Sequence, residues 1–79
     1  MEVQILGSGC PKCKLLEEKA REAVSLMAIE AEVVKITEMD EILDMGVMMT
    51  PALAIDGEVK TTGKVLSVEQ IQKILKESV

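Results

Sequence analysis

The chain has 79 residues, enough for one domain over 1–79 whose core is marginal, so its fold has to be compact and well patterned. A net charge of −5 and the absence of Phe, Trp and Tyr argue against nucleic acid, because nothing neutralises phosphate and no ring can stack on a base. No apolar run approaches the ~20 residues that span a bilayer, and no leader segment ending in a small-residue cleavage site opens the chain, so a cytoplasmic protein without a membrane partner is expected. Apolar residues make up 48% of the sequence, and Leu, Ile, Val, Ala and the six Met are expected to fill the core.

Met1 to Leu6 alternates, with Met1, Val3 and Ile5 on one side and Glu2, Gln4 and Leu6 on the other, which predicts a first strand. Gly7-Ser8-Gly9 interrupts it. Cys10 is then a natural helix cap, and Pro11 occupies the first helical position, where its missing N–H is no loss. Leu15, Leu16, Ala20, Ala23, Val24 and Met27 recur at helical spacing, whereas Lys14, Glu17 and Glu18 read as a solvated face. This helix is expected to end near Met27 or Ala28.

Ala31 to Ile36 is β-branched and predicts a second strand. Thr37 is positioned to cap a short helix from Glu38 to Met45, acidic in its first turn, with Gly46 just past its end. Met45, Met48 and Met49 read mainly as core fillers rather than a docking rim. Pro51 precedes a third strand, Ala52 to Ile55; Asp56-Gly57 is a hairpin turn, and Glu58 to Thr62 returns as the fourth strand. Ser67 and Gln70 form a capping box for a last helix, Val68 to Ser78, with Val68, Ile71, Ile74 and Leu75 inward. The order is β-α-β-α-β-β-α, an α/β chain whose first two strands should be parallel and last two antiparallel.

Cys10-Pro11-Lys12-Cys13 contains the only two cysteines. A thiolate at a helix N-terminus is stabilised by unpaired backbone N–H groups and by the dipole, and the second thiol lies within one turn of the first. A bridge across so short a loop constrains the unfolded chain little, and in a reducing compartment a lone cysteine pair is catalytic or metal-binding rather than structural. The catalytic reading is dithiol/disulfide exchange. The alternative is a binding protein that delivers or buffers a soft ion such as Cu(I) between Cys10 and Cys13; a third reading is a redox-sensing interaction module. Zinc is disfavoured because the chain has no His and two thiols leave a tetrahedral site half empty. Metal-delivery domains with a similar opening run β-α-β-β-α-β and end in a strand, whereas this chain ends in a helix.

Three features together carry a family resemblance: the element order, Cys10-Pro11-Lys12-Cys13 between first strand and first helix, and Thr50-Pro51 before the third strand. The chain resembles the thioredoxin/glutaredoxin superfamily over nearly its whole length, and most of all the small thioredoxin-like, glutaredoxin-like proteins of prokaryotes. The resemblance implies a thioredoxin fold: a four-stranded mixed sheet of order 4-3-1-2, with the two long helices on one face and the short one on the other. It implies a protein disulfide oxidoreductase acting in electron transport and cell redox homeostasis, with Cys10 attacking, Cys13 resolving and Pro11 and Lys12 shaping the turn. No cofactor is implied beyond a reversible Cys10–Cys13 disulfide. It further implies that Thr50-Pro51 is cis and that the Thr50 backbone pairs with an extended substrate segment.

The sequence departs from the family pattern at three places. Gly9 stands where thioredoxins usually carry an aromatic before the first cysteine, and Gln4 where many bury an Asp six residues before it. Gly63 is followed by Lys64, Val65 and Leu66 rather than by the Asp that glutaredoxins use for glutathione. A monomer is therefore expected that reduces protein disulfides and is itself reduced by a thioredoxin-reductase-like flavoprotein docking over Gly9, Cys10, Thr50 and Pro51, rather than by glutathione.

Overall fold

The computed structural model describes residues 1–78. Strand β1, Glu2–Leu6, sends Val3 and Ile5 to one face of the sheet and Leu6 to the other, as its alternation requires. Helix α1, Pro11–Met27, starts at Cys10, whose extended backbone and side chain cap it, and ends at Ala28 in the left-handed region, φ 51°. Strand β2, Glu32–Ile36, lies parallel to β1 with Val3 opposite Val33 and Ile5 opposite Lys35.

The short helix α2 spans Met39–Asp44. Thr37 does not cap it. The Ile42 N–H reaches the Glu38 carbonyl at 3.1 Å, so Glu38 is the cap, without a side-chain bond, and Thr37 falls one residue too early. The helix closes as the sequence suggests. Gly46, φ 82°, lets its own N–H reach the Leu43 carbonyl and the Val47 N–H reach that of Ile42, the paired bonds of a Schellman ending.

Strands β3, Ala52–Ile55, and β4, Glu58–Thr62, form an antiparallel hairpin. Asp56 and Gly57 both have positive φ, the turn that matches strand twist, and a bulge interrupts the register between Leu53 and Ala54. The last helix, α3, covers Val68–Ser78, and Ser67 and Gln70 exchange the two bonds of the capping box at 2.9 and 3.2 Å. The sheet order is β2-β1-β3-β4, with β3 antiparallel to β1. The sheet and its three flanking helices have the thioredoxin architecture that the resemblance implied.

Two cores result. The larger lies between the sheet and the pair α1 and α3, built on Val3, Ile5, Leu16, Leu53, Ile71 and Leu75. The smaller lies under α2, from Leu6, Ile42, Val47, Ala52 and Ala54. Neither has a Met among its buried residues: Met1, Met27 and Met45 pack on the periphery, while Met48 and Met49 are 89% and 64% exposed in the connection to β3. Leu15 is 43% exposed, contrary to its helical spacing. Cys13, Leu16, Ala20 and Ala23 form the line facing the sheet, and Leu15 lies about 100° around the helix from its neighbour Leu16.

Candidate functional site

The C-terminal end of β1 delivers the chain to the start of α1, and both cysteines sit at that junction. Gly9, exposed with φ 89°, turns the chain into the cap in a conformation that side chains other than glycine rarely adopt. Cys10 is partly exposed, and its sulfur accepts from the Cys13 backbone N–H at 3.4 Å. Cys13 is buried one turn later, and the two sulfurs lie 2.7 Å apart. Pro11 and Lys12 are exposed on the turn between them.

This arrangement drives the two thiols apart electrostatically. Cys10 is held below the ordinary thiol range, first by the hydrogen bond from the Cys13 thiol, then by the Cys13 backbone N–H, with smaller help from the backbone at Lys12. Cys13 is pushed up, first by burial and then by the hydrogen bond it gives to Cys10. The Lys12 ammonium is not among the groups that act on Cys10; the residue contributes through its backbone.

The wall behind Cys13 is Gly7, a residue that reads in the sequence only as a strand breaker. It is buried, and its N–H bonds the Ile36 carbonyl at 3.0 Å. A Cβ at Gly7 would overlap Cys13 Sγ and would stand 3.8 Å from Thr50 Cβ, so this glycine is needed for close approach rather than for a turn. The same contacts bring Thr50 to the cysteines. Thr50 is exposed, Pro51 is buried, the bond between them is cis, and the Pro51 carbonyl accepts from the Gly63 N–H at 2.9 Å. Gly9, Cys10, Cys13 and Thr50-Pro51 thus converge on one end of the sheet.

A cleft of about 70 Å³ opens beside Cys13, lined also by Gly7, Lys14, Glu17, Lys35 and Thr37. Glu17 is not the solvated residue its helix position suggested. Its side chain is only 16% exposed, paired with Arg21 at 2.9 Å and with Lys35 at 3.7 Å. The available signal was its spacing of four from Cys13, which puts both on one helix face. Gln4 belongs elsewhere: its amide accepts from the Gly57 N–H at 2.7 Å and donates to Glu2 at 2.9 Å, which commits it to the hairpin turn.

Among the described residues no group of three or more Cys, Asp or Glu side chains is placed to hold a metal.

Comparison with known proteins agrees with this geometry. The thioredoxin domain family matches residues 1–76. The chain belongs to the thioredoxin family. It is 53% identical over 75 residues to a thioredoxin of Methanothermobacter thermautotrophicus, covering 95% of this chain and 97% of the relative. It is 42% identical over 74 residues to a thioredoxin of Methanocaldococcus jannaschii, covering 94% and 85%. This chain brings its dithiol to a helix cap, and Gln4 is committed to the hairpin turn.

Proposed function

We propose that this single-domain protein, as a thiol–disulfide oxidoreductase, reduces protein disulfides with Cys10 as the attacking thiolate and Cys13 as the resolving thiol. Membership of the thioredoxin family makes it a protein disulfide oxidoreductase. The observation that carries the assignment of roles is the asymmetry of the pair: one sulfur partly exposed at the helix cap with a lowered pKa, the other buried 2.7 Å away with a raised one. Cys10 attacks a target disulfide and forms a mixed disulfide; Cys13 then attacks Cys10 and releases the reduced target, so no cofactor beyond the Cys10–Cys13 bond is needed. Pro11 and Lys12 shape the turn, and Gly9, Thr50 and Pro51 form the surface on which an extended target segment lies. Cys10→Ser is expected to form no adducts in a lysate, while Cys13→Ser accumulates them; equal yields from the two by mass spectrometry would defeat the assignment.

The physiological setting we propose is the cytoplasm, with the protein acting as a monomer and receiving electrons from a thioredoxin-reductase-like flavoprotein. Glutathione is anionic and needs cations, an acid for its amine and commonly a ring. This chain has no aromatic, carries Lys64 where that acid would follow Gly63, and has a net charge of −5. The oxidised protein should respond to a flavoprotein reductase from the same source and poorly to glutathione. Saturable reduction by glutathione with no response to the reductase would reverse the partner assignment.

A further inference from the structure

We infer that Glu17 accepts the proton of the Cys13 thiol in the resolving step, through water in the cleft beside it. The inference rests on the dithiol reading above. Only the thiolate of Cys13 can attack Cys10, so its proton has to leave before the mixed disulfide resolves. Burial opposes that loss, and Gln4 on β1 is no acceptor for it, because its amide is taken up by Gly57 and Glu2.

The cleft provides the other route. Its volume of about 70 Å³ exceeds the ~30 Å³ that a water occupies in the liquid, and its lining offers the two to four polar partners that such a water needs. The charged groups facing it are Lys14 and Glu17 from α1 and Lys35 from β2; β1 and the segment after it add only Ile5 and the uncharged Gly7 and Gly9, and Thr37 adds a hydroxyl. Glu17 is the one carboxylate on that lining among the described residues. Arg21, on the same helix, holds Oε2 from outside by two N–H bonds, and Lys35 approaches Oε1 at 3.7 Å. The carboxylate is thereby fixed in place one helical turn from Cys13, a spacing that puts the two Cβ atoms about 5–6 Å apart.

The step balances. The Cys13 proton passes through water to the Glu17 carboxylate. The Cys13 sulfur attacks Cys10 Sγ and forms the intramolecular disulfide; the bond from Cys10 to the target sulfur breaks, and that sulfur leaves as a thiolate that solvent protonates. Glu17 then returns its proton to water. Glu17 acts on the reacting sulfur through a bridging water, as a positioning residue.

The test uses the reduced full chain and Ellman's reagent. Attack by Cys10 releases one thionitrobenzoate and leaves a mixed disulfide; attack by Cys13 releases the second. In Glu17→Gln the second release should slow about tenfold at neutral pH, less than a base in direct contact contributes, because the proton passes through water. The deficit should shrink as hydroxide takes over at alkaline pH, and Glu17→Asp should recover most of the rate. A second release in Glu17→Gln that matches the wild-type pH profile, or that slows by one factor at every pH, would overturn the role. The first release reads the dithiol assignment separately: if the reduced wild-type chain gave none, that assignment would fail and not merely the part given to Glu17.

Discussion

Cys10 and Cys13 are one chemical group held in two environments. A free thiol ionises near a pH of about 8.5. The hydrogen bonds to Cys10 favour its charged form, so its thiolate persists below that value and disappears only as the pH falls through its lowered pKa. Burial works against the charged form of Cys13, which should stay protonated until the pH rises above the ordinary range. Iodoacetamide alkylation of the reduced chain, followed by fragment mass spectrometry, should therefore modify Cys10 first at every pH and extend to more acidic conditions for Cys10 than for glutathione. Preferential labelling of Cys13 at neutral pH would contradict this account. Local rules made this pair legible in advance, because cap, Pro11 and spacing all lie within four residues.

At the level of elements, the site depends on how tightly the end of β1 meets the first turn of α1. Gly7 sets that distance. A methyl group there collides with Cys13 Sγ, which is buried and backed by the sheet, so the strand and helix must separate or the thiol must turn. Gly7→Ala should cost about 1–3 kcal/mol, the usual range for overpacking a closed site. Urea unfolding followed by circular dichroism would measure it, and an unchanged midpoint would mean that this contact gives way freely. Element boundaries that follow from side-chain-to-backbone bonding were readable: the Ser67 and Gln70 box and the Asp56-Gly57 turn stand where their residues suggested. Thr37 was not, because a hydroxyl one residue before the true cap looks the same in the sequence as a capping one. Gly7 was not, because its need is a contact with Cys13 rather than a backbone angle.

Across the whole molecule, the fold was legible because alternation in β1, helical spacing in α1 and α3, and the turn at the hairpin agree with one another. Relations between elements were less so. The pairing of Glu17 with Lys35 depends on Ile5 lying opposite Lys35 in the parallel register, which no local pattern specifies. The methionines misled for a related reason: Met48 and Met49 are apolar, but their side chains are largely exposed in the connection to β3 and join neither core.

The exposure of a single sulfur constrains traffic through the whole protein. Cys10 is the one thiol of the pair that a partner can reach, so with the roles and the reductase proposed above electrons would enter and leave through the same atom. A reductase and a target cannot occupy it together. Turnover must then alternate between two half-reactions with the protein as the carried intermediate, a double-displacement scheme. Steady-state rates measured at several reductase concentrations against target concentration should give parallel double-reciprocal lines, and intersecting lines would show that both partners bind at once.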